Sequence, residues 1–478
     1  MNVDFLEEPE LQFGAGQHID IRFGLMNLGP LDIEQTSAPR TIRVGLIGTP
    51  QTVEGVIEWL EKCKSEIPAK PSPRNHLFPR FPGFRRDVAF RADVACDSRS
   101  QREIPERQLN PLIERRRYKA LEEIVDIFLQ EIRYLVESVT TDVIICAPPA
   151  ALDRGALAGS SDSDDDASTD ERGSFRRMPT FHDLLKARAM MLRKPIQFIF
   201  PATYGHPIPR PPRVIRKLQD EATRAWNFYT ALYYKAGGRP WRLVRDPSEF
   251  TTCFVGVSFY RSADQARLMT SMAQIFNERG HGVVVLGAPA AISKDDPRPH
   301  LTSEHAGDLL SKALTHYREE HRTLPARIVL HKTSAHTAEE IHGFTTAAKE
   351  HSIHSIDLIS MSSSTTRLFR MGIYPPLRGT VWLTKNGPHF LYTRGSVQFY
   401  STYPGLYVPR PIQYQIELGD CTPKSAGREL LELTKMNWNS TQFDNADPIT
   451  VRAARQVGSI LRYVDEGSLV EHRYSYYM

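Results

Sequence analysis

Cysteine is scarce in this 478-residue chain: Cys63, Cys96, Cys146, Cys253 and Cys421 are odd in number, far apart and contain no C-x-x-C pair. That spacing argues against a secreted disulfide framework, structural zinc and an iron–sulfur cluster, and it points to a reducing compartment. Long apolar runs are missing too, since none approaches the roughly 18 residues of a membrane span. The start MNVDFLEEPE is acidic where a secretory leader is basic and then apolar. The expectation is a cytoplasmic protein with no membrane partner. Glycine-rich phosphate loops are also lacking: TIRVGLIGTPQTVEG holds neither G-x-G-x-x-G nor a P-loop lysine, which leaves a nucleotide-dependent enzyme with little support. No internal repeat is present.

What remains is an ordinary globular composition, 41% hydrophobic and 24% charged, on a chain long enough for about two to four domains. The net charge of +4 hides an asymmetry. From Asp153 to Arg172 seven acids face two arginines, a local −5, so the rest of the chain carries +9. A basic body suits a polyanionic partner, although a solvated surface explains such a balance equally well. The acidic run, residues 152–173, has no aromatic or β-branched aliphatic side chain and is expected to be a disordered surface loop.

Punctuation divides the sequence into residues 1–40, 41–240 and 241–478. The opening segment, with glycines between short apolar pieces such as HIDIRFGLM, reads as hairpin strands and a linker. From TIRVGLIG to IQFIF, short apolar strands alternate with amphipathic helices, the pattern of a doubly wound, mainly parallel α/β sheet. KAGGRPWRL closes this region, because Gly237 and Gly238 stop a long helix and Pro240 prevents its restart. The last part runs TCFVGVSFY and HGVVVLGAP, a helix, ARIVLHKT, a helix, SIDLISM, hairpin pieces and two final helices. That order fits a ribonuclease-H-like domain and also other mixed folds.

In doubly wound sheets ligands sit beyond the carboxyl ends of the strands, so the segment after IQFIF draws interest. It reads PATYGHPIPRPPRVIRKLQDEATRAWNFYTALYYKAGG. Prolines hold the loop extended, so His206 and Arg210, four apart, can face one anion together. Pro212 suits the first turn of a helix, and Arg213, Arg216 and Lys217 load that turn with positive charge against the macrodipole, a conflict that a bound anion relieves. The plainer reading is a proline-rich surface loop with incidental arginines. Lys235 has its own plain reading, a cation placed favourably at a helix C-terminus. Trp226, Tyr229 and Tyr233 recur at core spacing rather than as a stacking platform. The pairs His351/His354 and His331/His336 read as surface histidines rather than metal ligands.

A ribonuclease-H-like nuclease needs carboxylates converging on two divalent ions. Here Ser258, in CFVGVSFYRS, stands where the leading aspartate belongs, and Thr333, ending ARIVLHKTS, where the second is expected. A neutral hydroxyl supplies no anionic charge for Mg²⁺. Such a domain binds but does not cut.

The opening EPELQFGAGQHIDIRFGLMNLGPLD, the helix AWNFYTALYYKAGGRPWRL and the strands CFVGVSFYRS and ARIVLHKTSAHTAEE, in this order, resemble a short prokaryotic Argonaute over nearly the whole chain. The resemblance implies a Rossmann-like MID domain followed by a ribonuclease-H-like PIWI domain. It implies a 5′-phosphorylated guide RNA that pairs with a single-stranded DNA target. The family's guide-phosphate positions fall on His206, Arg210, Gln219 (with Lys217 as competitor) and Lys235, and a Mg²⁺ ion is shared between Gln219 and the carboxylate of Met478. Its nuclease positions fall on Ser258, Thr333 and Ala454, all degenerate. Inactive members resemble one half of a heterodimer whose other subunit joins an APAZ region to a TIR or sirtuin-type NAD-hydrolysing effector, and no effector motif appears in this chain. The alternative is an active guide-directed DNA endonuclease using other carboxylates, such as Asp357 or Glu278.

Overall fold

The computed structural model describes residues 2–115, 118–153, 180–205, 219–246, 248, 250–264, 266–276, 282–284, 287, 289–292, 298–369, 371, 375–403, 408–442, 445–464 and 470–478. The chain opens with three short strands, β1 (Asn2–Phe5), β2 (Leu11–Phe13) and β3 (Gly16–His18), and then a helix, α1 (Ile21–Leu28). IRFGLM is therefore helical and not a hairpin strand. Asp20 decides this locally: its carboxylate accepts from the backbone N–H groups of Arg22 and Phe23 and so caps the helix.

A parallel sheet follows, made of β4 (Thr41–Gly48), β5 (Asp93–Ala95), β6 (Gln101–Glu103), β7 (Val143–Ala147) and β8 (Ile196–Phe198). β4 lies beside β7, which lies beside β8, while β5 and β6 pair with successive halves of the free edge of β4. Among the described residues five α-helices belong to this part: α2 (Pro50–Lys62), α3 (Glu106–Arg115), α4 (Tyr118–Ser138), α5 (Phe181–Ala189) and α6 (Glu221–Lys235). β7 is buried throughout and β4 and β8 nearly so, as the centre of a doubly wound sheet requires, while β5 and β6 at the edge are half-buried to exposed. Beyond Asp153 the acidic loop lies outside the described residues.

Helix α6 is the keel of the first half. Trp226, Tyr229 and Tyr233 are each at most 1% exposed and pack with Phe81, Phe84 and Phe90, the Phe84 and Tyr229 rings stacking at 4.4 Å. Gly237, at φ 91°, takes the left-handed conformation that ends the helix. The chain then crosses through Trp241, fully buried with its indole N–H donating to the Lys435 carbonyl, into β9 (Arg242–Leu243), which pairs with β2.

The second large sheet has nine strands among the described residues. It contains β10 (Thr252–Arg261), β11 (Leu268–Phe276), β12 (Gly282–Val284), β13 (Arg327–Lys332), β14 (Ser355–Ser363), β15 (Thr380–Leu383), β16 (His389–Leu391) and β17 (Ile412–Leu418), with β1 added at the β15 edge. β10, β13 and β14 are parallel, and β11 runs antiparallel to β10, as in a ribonuclease-H-like sheet. Its helices are α7 (Ser303–His321), α8 (Ala338–Glu350), α9 (Pro423–Leu433) and α10 (Ile449–Leu461). α10 docks on β10 at Gly256, where a Cβ would lie 2.1 Å from the Thr450 carbonyl oxygen, so only glycine permits the approach. The molecule is thus α/β throughout, a Rossmann-like sheet followed by a ribonuclease-H-like one. No helix among the described residues is long and apolar enough to cross a membrane.

Candidate functional site

The carboxyl end of β8 leads into a turn at residues 201–205, directly before the loop singled out in the sequence. His206, Arg210 and Lys217 lie outside the described residues. What frames the loop is defined. Arg224, one turn into α6, donates from Nη1 to the Ala202 carbonyl at 2.6 Å and also to the Thr203 carbonyl, which ties the turn to the helix. On the far side of the loop, Asp220 caps α6 by accepting from the Thr223 N–H at 3.0 Å. Gln219 is exposed, and its Oε1 accepts from Asn227 at 3.3 Å.

Lys235, in the last turn of α6, is turned inward. It is 6% exposed, and Nζ donates to Gln197 Oε1 on β8 at 2.6 Å. The Gln197 amide is itself fixed, because Nε2 donates to the Phe198 carbonyl at 3.1 Å. Burial pushes the Lys235 ammonium down to about 7, with Cys146 opposing the shift. Gln197 and Arg224 were missed by sequence reasoning. The signal for Gln197 was present, a lone polar residue inside the apolar strand IQFIF; for Arg224 none existed, since its partners are backbone carbonyls.

Met478 is 2% exposed, and its N–H donates to the Tyr474 carbonyl. The closing turn Tyr474–Tyr476 packs against α6, while Gln456 of α10 donates to the Tyr477 carbonyl at 3.0 Å. The last residues therefore sit against helices from both halves of the molecule.

At the second sheet, Val257 on β10 is opposite Lys332 on β13, so Ser258 and Thr333 each stand one residue beyond that pair, Ser258 within β10 and Thr333 just past the end of β13. Ser258 is 5% exposed. Ala454 is fully buried on α10, one turn after Thr450, whose hydroxyl meets His331 Nδ1 at 2.9 Å. In place of a carboxylate beside Thr333 the sheet holds a buried cation: Lys332 Nζ lies 2.7 Å from both oxygens of Glu340, with neither side chain exposed. Among the described residues no three His, Cys, Asp or Glu side chains form a group suited to a metal ion.

Two sequence expectations are corrected here. His331 and His336 are not on the surface, because the alternation of β13 turns His331 into the sheet interface with α10 and the Glu417 carboxylate draws in His336 Nδ1 at 2.5 Å. Burial and Arg327 push His331 down to about 3, so it is neutral. Asp357 is not placed for metal work either. It is opposite Val329, which is opposite Phe254, four residues short of Ser258 and so roughly 13 Å back along the strands. Its carboxylate is occupied, accepting from Arg327 Nε at 2.7 Å and the Cys421 N–H at 3.1 Å. Glu278 lies outside the described residues. Asp357→Asn is expected to cost about 1–3 kcal/mol, because Arg327 keeps Glu429 but loses one buried charge. Chemical denaturation checks this; unchanged stability would show that the pair is dispensable.

No protein-family model matches the chain, and no curated protein matches it in sequence. Solved structures do match its fold. Over 99% of its length the chain superposes on 54% of the Clostridium butyricum Argonaute bound to a guide DNA (5′ deoxycytidine) and a 19-mer target DNA, with a TM-score of 0.64 and 14% identity. It likewise covers 56% of Aa-Ago with externally bound siRNA, at a TM-score of 0.60 and 14% identity, and 55% of A. aeolicus Argonaute, at 0.58 and 14%. The chain spans about half the length of these Argonautes. What it shares with them is the fold, the Rossmann-like and ribonuclease-H-like pair of an Argonaute MID–PIWI unit.

Proposed function

We propose that the protein is a short Argonaute subunit that binds a 5′-phosphorylated guide RNA, senses a single-stranded DNA target by pairing, and does not cut it. The observation that supports this reading is an Argonaute-like fold over 99% of the chain, taken together with neutral Ser258, Thr333 and Ala454 at the positions that the sequence resemblance assigns to the nuclease carboxylates. Three neutral residues supply no carboxylate to two metal ions, and the nearby Glu340 carboxylate is engaged by Lys332. The guide's 5′-phosphate is assigned to the mouth of the first sheet, with His206, Arg210, Lys217 and Lys235 as its ligands; Gln219, held beside Asn227 about 12 Å along α6 from Lys235, is not brought to the same phosphate. Mg²⁺ takes oxygen donors, and the Met478 carboxylate is of that chemistry, whereas the Gln219 amide oxygen is engaged by Asn227 and is not brought to it. When bound, the ion supplies positive charge to the phosphate.

Since this chain offers no cutting centre on that reading, its output passes to a second protein, an APAZ-containing subunit with a TIR or sirtuin-type domain that hydrolyses NAD in defence against plasmids or phage. Guide–target pairing in the basic body changes the contact with that subunit and switches it on. The test is the nucleic acid that copurifies with the chain, end-labelled before and after phosphatase treatment. Short RNA that accepts label only after phosphatase treatment is expected, with retention falling steeply as salt rises. Protein free of nucleic acid that also fails to bind 5′-phosphorylated RNA at low salt contradicts the proposal.

A further inference from the structure

The first half carries a groove that lies between α2 and the connection from β6 to α3 and contains none of the phosphate-site residues. Its floor is apolar, formed by Pro50, Val53 and Pro105, with Ile57 left 37% exposed beside them. Its two walls are acidic. Glu54 and Glu58, one helical turn apart on α2, face Glu103 and Glu106 across the floor, and Arg107 is the only cation in the lining. All four glutamates are exposed, and no ion pair within the chain neutralises them among the described residues. On a chain whose remainder is strongly basic, this local excess of negative charge repels a nucleic-acid backbone. An exposed isoleucine and two prolines between opposed carboxylates are complementary instead to an apolar side chain flanked by cations.

We infer that this groove docks a basic, amphipathic segment of a partner protein, with an apolar side chain over Ile57 and Pro105 and Lys or Arg side chains reaching Glu54 and Glu58 on one wall and Glu103 and Glu106 on the other. Charge complementarity selects this occupant, and the apolar floor gives it a register that charge alone does not. The inference adds a docking place for a protein and does not require that the chain bind a guide, so the two stand or fall separately.

The probe is a short fluorescent peptide in which leucines are flanked by lysines, measured by anisotropy against the full chain, with a peptide carrying glutamate for lysine as control. The lysine peptide is expected to bind and the glutamate peptide not. Glu58→Lys combined with Glu106→Lys should weaken binding at least about tenfold, and Ile57→Ser alone about threefold or more. Retention of a 5′-phosphorylated oligonucleotide by the same variants should be unchanged, which separates this groove from the phosphate site. Equal affinity of wild type and the charge-reversed variant, or indifference to Ile57→Ser, would each overturn the assignment.

Discussion

Glu340→Ala is expected to destabilise the protein by about 3–5 kcal/mol, the usual cost of stranding one partner of a buried ion pair. Glu340 is fully buried and carries four demands at once. Its oxygens accept from Lys332 Nζ, from the Leu301 N–H at 2.9 Å and from the Thr337 N–H at 2.8 Å, while its own N–H completes a capping box with the Thr337 hydroxyl. Without the carboxylate the Lys332 ammonium loses its charge partner and is left beside the Ala335 carbonyl at 3.1 Å and the face of the Phe259 ring, fully buried in the sheet. Glu340→Gln should lie between, because an amide oxygen still accepts but brings no charge. Denaturant titration reads both. A loss below about 1 kcal/mol for Glu340→Ala would mean that Lys332 sheds its proton or finds another partner at little cost.

Lys235→Met should abolish most of the discrimination between a 5′-phosphate and a 5′-hydroxyl, a loss of about tenfold or more for one charge-assisted contact worth roughly 1.5–3 kcal/mol. The pH dependence carries the sharper signature. The folded lysine titrates near 7 against an ordinary 10.5, so between those values the unfolded chain binds more protons and stability rises with pH. Phosphate affinity moves the other way, because above about 7 the free site has lost the charge that the anion needs. The phosphate's own titration near 6 is common to wild type and variant, so their difference isolates Lys235. Parallel pH profiles in the two proteins would remove Lys235 from the pocket.

The strand–helix alternation of residues 41–240 was legible because buried parallel strands are continuously apolar, and the core role of Trp226, Tyr229 and Tyr233 followed from their spacing. Partners far apart in sequence were not legible. β1 joins the edge of the second sheet through β15, a pairing across more than half the chain that no local pattern announces. α1 was hidden because IDIRFGLM alternates like a strand, and only the Asp20 cap tips it to helix. His331 and His336 looked like surface residues because their burial comes from α10 and from Glu417, each remote in sequence. Within the candidate site, the inward turn of Lys235 depends on Gln197, another long-range pair.

The most direct test of the account loads the purified chain with a 5′-phosphorylated guide RNA and adds labelled complementary single-stranded DNA in Mg²⁺ or Mn²⁺. The account predicts that the DNA is captured in a guide-dependent manner and remains full length, with neutral Ser258, Thr333 and Ala454 where metal-binding carboxylates would stand. Guide-directed cleavage of that DNA, lost on replacing a single carboxylate of this chain, would contradict it.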